Sequence, residues 1–517
     1  MNKKQILQAP ENLDRDKLPV RGCGGEGADT YRRTISFLLS AAIREVFPDR
    51  GEHIYHSIGR ACYYTFACGP RVCEDEINLL KAEMRRLIAE DLEISCRYMD
   101  YGEALDYFEK NGLDNTALLL RQRGGERVKV NQLGGFARLY GAPLFSRTGD
   151  VSVFDISPYH EGFLLRFPAD SGSGTLEEFT ESPKTFFAYN EYKKWGRIIG
   201  IHSAGHINKL IADGTINEFI RMNEAFQDKK LSAIADEIYE RRNDVKLVLI
   251  AGPSSSGKTT TAKRLSVHLK VLGIEPIAIS LDDYYLHPDN APKDENGQPN
   301  LECLEALDVD YLNRQLLDLF DGKDVTLPVF DFKTCARKEG KTIRLGKRRE
   351  VLVIEGIHGL NDALTHQIKN ENKFKIFVSV LTQIIVDDQN PVDPCDNRLL
   401  RRIVRDSQFR GASALRTLSM WDSVQNGAEK YIFRFENSAD AVFNSALDYE
   451  IPVLKCYAEH LLRGVKPENA PHGEVSRLYA EASRLLDFLD NFNILLPQAV
   501  PAYSLLREFI GKSGFKY

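Results

Sequence analysis

Residues 246–273 read KLVLIAGPSSSGKTTTAKRLSVHLKVLG. The apolar run from Leu247 to Ala251 has the length of a buried strand, and Ala262, Leu265, Leu269 and Leu272 recur at helical spacing as far as Gly273. The segment therefore predicts a strand, a tight turn and a helix. In the turn, Gly252, Gly257, Lys258 and Thr259 satisfy G-x-x-x-x-G-K-[ST]. Glycines at those positions let backbone N–H groups wrap a phosphate, and the helix N-terminus adds its positive end. The phosphate-binding set is read as Gly252, Ser254, Ser255, Ser256, Gly257, Lys258, Thr259 and Thr260. Lys258 reaches the β- and γ-phosphates, and the Thr259 hydroxyl ligates Mg²⁺. Such a match arises by chance about 0.02 times in a chain of this length, before the strand and helix are also required.

Strands of a sheet built around such a loop run parallel, so acids at later strand ends emerge on the edge that holds the phosphates. EPIAISLDDYY predicts a strand ending in Asp282 and Asp283, and REVLVIEGIHGL predicts a buried strand ending in Glu355. A carboxylate after VLVI and before a glycine is what a magnesium-site acid on a central strand looks like. Further on, NRLLRRIVRDSQFRG places Arg398, Arg401 or Arg402, and Arg405 on one helical face, with Arg410 just beyond. Guanidinium forks match phosphate oxygens, so this helix is expected to be a mobile lid over ATP.

The remaining composition narrows the class. The chain has 517 residues, 43% hydrophobic and 27% charged, with a net charge of −6. This is an ordinary globular balance with no global positive field for nucleic acid or anionic membrane. The longest apolar runs are strand-sized, and the first twenty residues lack a signal-peptide core, so no membrane association and a cytoplasmic location are expected. Nine cysteines, Cys23, Cys62, Cys68, Cys73, Cys96, Cys303, Cys335, Cys395 and Cys456, include no C-x-x-C pair, and free thiols are expected. Helical spacing of Ile35, Leu38, Leu39, Ala42, Ile43 and Val46, and again of Ile77, Leu80, Met84, Leu87 and Ile88, predicts two helices in a first α+β unit. From about 130 to 212 the pattern is strand-like and rich in loops, and helical spacing returns over 216–242.

With these residues assembled, 245–455 resembles the uridine kinase branch of the phosphoribulokinase/uridine kinase family. The shared segments are GPSSSGKTT, ISLDDYY, NLECLEALD, LPVFDFKTCAR, VLVIEGI and RLLRRIVRDSQFRG. The resemblance implies that Asp282 is the catalytic base and Glu355 the magnesium-site acid. It places Glu302 on the ribose hydroxyls, Tyr285 in the acceptor site, and Arg402, Arg405 and Arg410 against ribose or phosphate. Departures fall in the base pocket. Phe330 and Cys335 stand where pyrimidine nucleoside kinases carry Tyr and His, Ala412 replaces an Arg, and Met420 replaces a Gln.

Residues 31–125 resemble the second additional domain of threonyl-tRNA synthetases, in TISFLLSAAIREVFPD, CYYTF and LKAEMRRLIAEDLEISCRYMDYGEALDYFEKNG. That family carries an editing-site His-x-x-x-His on the first helix, where this chain has Arg33 and Phe37, so the editing chemistry is not expected. His202 and His206 form an H-x-x-x-H elsewhere, but no Glu follows the first His and Gly205 interrupts the turn, so a surface or capping role is expected and no metal is assigned there.

The expected architecture is an α/β P-loop kinase with a mostly parallel sheet. A flexible N-terminus (1–28) and a synthetase-like α+β region (29–215) precede the kinase domain (216–465), and a helical tail (466–517) follows it. The expected reaction uses ATP and Mg²⁺ to phosphorylate the 5′-hydroxyl of a ribonucleoside, uridine being the first choice. The rivals are a kinase of another small alcohol, such as a sugar phosphate or a pantothenate-like compound, and a regulatory RNA-binding ATPase. Nucleic acid is not an expected partner, with the N-terminal region left open on that point, and a homo-oligomer is left open too. Because every catalytic group named lies between Gly252 and Arg410, a fragment beginning near Asn217 is expected to fold and retain the chemistry.

Overall fold

The strand Leu247–Ala251, buried at every residue, lies in the middle of a five-stranded sheet. Across the sheet the order is Ala441–Asn444, Lys373–Ser379, Leu247–Ala251, Glu350–Glu355, Glu275–Ser280, and each neighbouring pair is parallel. Glu355 is in register with Ile250 and with Ser280, so three strands end together on the edge where the loop begins. The central strand feeds two layers of core, as an all-parallel sheet requires. Val248 and Ile250 face a large cluster that includes Leu265, Leu400 and Val453, and Leu247 and Leu249 face Leu312, Leu316 and Leu319 of the helix Val309–Phe320. An antiparallel hairpin, Val325–Asp331 with Ala336–Ile343, stands beside the sheet.

This description comes from a computed structural model and covers residues 27–58, 61–168, 174–293, 297, 299–331, 334–346, 349–467 and 474–516. The expectation of a flexible start falls almost wholly outside it, as does Cys23. Ala28, placed in that flexible stretch, instead opens the helix Ala28–Val46 and is buried.

Upstream, the helices Ala28–Val46 and Glu74–Ala89 share a core with an antiparallel sheet ordered Glu52–Ile58, Ala61–Phe66, Gly162–Arg166, Asp155–Tyr159. A three-stranded sheet, Ser95–Asp100, Arg127–Leu133 and Phe136–Arg138, lies between its halves in sequence. One reading of the sequence is corrected, and the packing bears on a second. Residues 183–212 are not strand-like but form the helices Pro183–Ile199 and Ala204–Ala212. Their buried Phe186, Tyr189 and Gly196 follow helical spacing, and Pro183 occupies the first helical position, where its missing N–H costs nothing. Nor is the kinase core self-contained from 217 onward, because Leu119, Ala204 and Ile207 belong to the same buried cluster as Val248 and Ile250.

The segment following Lys373–Ser379 docks into the upstream region through buried and half-buried polar contacts. The Ser40 hydroxyl donates to Gln389 Oε1 at 2.8 Å, and the Thr116 N–H and hydroxyl both donate to Asp388 Oδ2 at 2.9 Å. Asn390 Nδ2 donates to the Leu139 carbonyl at 2.9 Å. The helix Glu474–Leu489 and the segment after it pack Leu478, Leu485, Leu489, Leu505 and Phe509 into the core of the central sheet.

Candidate active site

The loop between Ala251 and Lys258 is shaped by close approach. A Cβ on Gly252 would lie 2.1 Å from the Val378 carbonyl oxygen, so only glycine lets the loop cross the neighbouring strand there. Gly257 and Ser255 adopt positive φ (85° and 62°), turning successive N–H groups inward. The helix Lys258–Val271 then begins with its amides pointing at the loop. Lys258 Nζ donates to the Pro253 carbonyl at 3.3 Å, and burial holds its pKa below the ordinary lysine value despite Glu355 and Asp282 nearby. The hydroxyls of Ser255 and Ser256 are buried and have no hydrogen-bond partner among the described residues. A cradle that excludes a Cβ and carries orphaned buried hydroxyls beside a desolvated ammonium fits a phosphate chain.

The two adjacent aspartates lie in a 3₁₀ turn, Leu281–Tyr284, just after the strand Glu275–Ser280 rather than in the strand itself. They separate in role. Asp283 Oδ1 accepts the Phe330 N–H at 3.0 Å, which uses this carboxylate to hold the hairpin. Asp282 is exposed, and its charge is felt by Lys258, Glu302, Glu355 and Arg410. Ser280 links the acids: its hydroxyl donates to Glu355 Oε1 at 3.0 Å and accepts the Asp282 N–H at 3.4 Å. Burial, and then the Asp282 charge, push the Glu355 carboxyl up to about 7. Glu355 and the Thr259 hydroxyl are the groups that would hold Mg²⁺ beside phosphate oxygens, hard oxygen ligands of the kind that ion takes.

Glu302 is enclosed beneath the helix Ala414–Tyr431, where Gly427 makes room for it: a Cβ there would stand 2.8 Å from Glu302 Cγ. Burial raises its carboxyl above the ordinary range, opposed by Arg402, Lys258 and Arg398. Tyr285 lies within the field of the same group, its ring 6.1 Å from that of Phe330 and its hydroxyl donating to the Leu301 carbonyl at 3.2 Å. Burial and the charges of Asp282 and Glu302 raise the Tyr285 phenol above its usual range. Cys335 lies at the hairpin tip with φ 52°.

The arginine helix, Pro394–Phe409, differs from the flap expected of it, because Leu399, Leu400, Ile403 and Val404 root it in the core. Its arginines divide. Arg401 is fully buried, pairs with Glu450 at 2.6 Å and donates to the Ser255 carbonyl at 3.3 Å, so it braces the loop from beneath. Arg402 donates to Ser254 Oγ at 2.7 Å, and Arg398 to the Ser254 carbonyl at 3.1 Å. Arg405 and Arg410 face Asp406 at 3.0 and 3.7 Å.

Several residues whose part in the site the sequence did not show complete it. Ser280, Gly427, Arg401 and, from the far end of the chain, Glu508 are among them, the last with its carboxylate on the N–H of Thr260 at 3.1 Å. In the upstream region, Arg33 donates to the Pro143 carbonyl at 3.1 Å, and Phe37 is buried against Phe136 and Tyr140. Ser203 opens the helix Ala204–Ala212 and its hydroxyl pairs with His206 Nδ1 at 2.6 Å, while the His202 and His206 rings lie 4.7 Å apart.

A five-stranded parallel sheet, a G-x-x-x-x-G-K-T loop at its central strand and acids at the ends of two neighbouring strands define a P-loop kinase. Residues 247–452 match the model of the Phosphoribulokinase / Uridine kinase family. Uridine kinase from Ureaplasma urealyticum serovar 10 is 32% identical over 177 residues, 34% of this chain and 76% of that protein. Uridine kinase from Ligilactobacillus salivarius is 30% identical over 183 residues, 35% of this chain and 76% of that protein. A solved structure described as a possible uridine kinase from Bacillus stearothermophilus aligns over 41% of this chain and 98% of its own, with 20% identity and a TM-score of 0.27. The chain belongs to the Phosphoribulokinase / Uridine kinase family. Among the described residues, no helix is long and apolar enough to cross a membrane.

Proposed function

We propose that the protein is an ATP-dependent nucleoside kinase, transferring the γ-phosphate of ATP to the 5′-hydroxyl of a ribonucleoside, with uridine the first candidate. The observation that carries this reading is the gathering of Arg402, Lys258 and Asp282 around the half-buried Glu302, on the edge where the phosphate loop opens. The uridine kinases among its relatives support it as well.

In this reading the loop amides from Ser254 to Thr260 and the Lys258 ammonium hold the phosphates of ATP. Bound Mg²⁺ would neutralise charge on the β- and γ-phosphates, with Thr259 and Glu355 holding it. Glu302 takes the ribose hydroxyls, and Tyr285, Phe330 and Cys335 flank the base. Asp282 accepts the proton of the 5′-hydroxyl as its oxygen bonds to phosphorus and ADP leaves. Arg405 and Arg410 neutralise charge on the transferring group, and Arg402 keeps the loop and the ribose site in fixed relation. No group upstream of Gly252 enters the chemical step.

A panel of nucleosides incubated with ATP and Mg²⁺, read by product mass, tests it. The expected products are ADP and a nucleoside 5′-monophosphate, uridine among the best acceptors. Phosphorylation of a sugar or pantothenate-like alcohol with every nucleoside left intact would overturn it.

A further inference from the structure

The last residues of the chain reach the phosphate loop and use one of its amides. Leu505, Leu506, Phe509 and Ile510 are buried in the core that carries the central strand. Leu505 lies directly on the loop, so that a Cβ on Gly257 would stand 2.7 Å from Leu505 Cδ2. Phe509 packs 5.1 Å from the guanidinium of Arg401, the residue that braces the loop. The turn holds its own shape, because Arg507 donates to the carbonyls of Pro497 at 2.9 Å and Gly511 at 3.3 Å. Farther along, Lys263 on the phosphate-loop helix donates to the Lys516 carbonyl.

This packing sets the Glu508 side chain at one spot. Its Oε2 accepts the Thr260 N–H at 3.1 Å and the Thr260 hydroxyl as well. Thr260 is the third residue of the helix that opens at Lys258. Its N–H is therefore among those with no partner inside the helix, the groups such a loop offers to phosphate oxygens. The Glu508 charge is felt by Lys258, Lys263 and Arg410, and also by Glu355. A carboxylate on an amide at the mouth of a phosphate cradle, within the field of three cations, occupies the position of an anionic ligand.

We propose that Glu508 is an intramolecular stand-in for a nucleotide phosphate: its carboxylate, held in place by the buried segment from Pro497 to Lys516, is an autoinhibitory pin which ATP displaces from Thr260 on binding. The proposal rests on the reading of the loop as a nucleotide site. The pinned form cannot give Thr260 to a phosphate, so the apparent ATP affinity is reduced by the fraction of molecules left unpinned. Withdrawing the Glu508 carboxylate from Thr260 would raise ATP affinity without touching any group that takes part in the transfer.

The test is ATP binding by calorimetry, with no acceptor present, to the full-length wild type and to the Glu508→Gln and Glu508→Ala proteins. Charge-assisted hydrogen bonds of this kind are strong enough that Glu508→Ala is expected to tighten ATP binding about tenfold, with Glu508→Gln in between. Unchanged or weaker binding in Glu508→Ala would overturn the pin and leave Glu508 as a brace of the loop. No ATP binding by wild type or either variant would overturn the nucleotide-site reading, and the pin with it. Hydrogen exchange on the wild type needs no variant to fold. Adding ATP and Mg²⁺ is expected to deprotect the amides from Arg507 to Ile510, and unchanged or greater protection there would count against displacement.

Discussion

The Asp283 carboxylate accepts the Phe330 N–H at 3.0 Å, which ties the turn after the strand Glu275–Ser280 to the hairpin and leaves its neighbour Asp282 facing the phosphate loop. The two aspartates are therefore predicted to fail differently. Asp282→Asn should lose at least about 100-fold in kcat, the size of a lost general base, with ATP affinity little changed. Asp283→Asn should instead raise the acceptor KM about 5- to 10-fold through a loosened hairpin, with a smaller effect on kcat. Steady-state kinetics with uridine checks both, and near-normal turnover by Asp282→Asn would remove the base assignment.

Gly427 is predicted to set the position of Glu302. A methyl group there would meet Glu302 Cγ at 2.8 Å, so Gly427→Ala should displace the acid and raise the acceptor KM about tenfold or more, with ATP binding unaffected. Through the same group the enzyme should prefer ribonucleosides to their 2′-deoxy forms. Phe330 offers no hydroxyl and Cys335 only a weak donor, so discrimination among bases should stay below about 1,000-fold in kcat/KM for uridine over inosine. A larger ratio would mean that other residues read the base.

A chain beginning at Asn217 is predicted not to melt cooperatively, against the expectation drawn from the positions of the catalytic groups. It would lack Leu119 and Ile207, whose burial alone is worth about 3–6 kcal/mol, and Trp195, which stacks on Phe226 at 4.7 Å. Thermal unfolding followed by circular dichroism decides, and a sharp transition within a few degrees of the full chain would show that the upstream helices are dispensable.

His358 is predicted to shape the acid side of the stability curve. It is 1% exposed, and burial holds its pKa at about 4 against an ordinary 6.5, a backbone hydrogen bond at Cys303 opposing the shift. As pH falls from 6.5 towards 4, the unfolded chain takes a proton that the folded one refuses. The stability present above 6.5 is thereby lost, by up to about 3 kcal/mol. Asp387 and Asp448, raised to about 7 by burial, act in the opposite sense, losing their contribution as pH rises through 7, and do so equally with or without His358. Urea unfolding across pH 4 to 7 should give His358→Phe a flatter acid limb than the wild type, and parallel limbs would refute the assignment.

The parts of the site legible in the sequence are those made by neighbours in the chain. The loop from Gly252 to Thr259 and the strand-end acids Asp282 and Glu355 each lie within one strand–turn unit, so residue type and spacing suffice. The arginine helix shows where local reading stops. Its spacing puts Arg401 and Arg402 equally near one face, and it is distant partners, Glu450, 49 positions on, and Ser445, that draw Arg401 into the core. The upstream sheet pairs Ala61–Phe66 with Gly162–Arg166 across an intervening sheet, and no local pattern announces that partner. Glu508 meets Thr260 across 248 positions from within an apolar run that reads as a tail.

The docking of Gln389 onto Ser40 also has a consequence in time. Ser40 leaves the ribosome 349 positions before its partner, an interval of roughly 20 to 70 s at ~5–20 residues per second. Thr116 waits likewise for Asp388, and the Leu139 carbonyl for Asn390. During that interval the upstream unit holds a face of polar groups hydrated rather than paired, and water is the placeholder that keeps the nascent chain from sealing that face against itself. The joining of the two halves can therefore begin only when residues 388–390 emerge, and it is completed later still, because Ser182, Lys184 and Thr185 meet residues 436–439 and Asn208 meets Asn491 and Asn493.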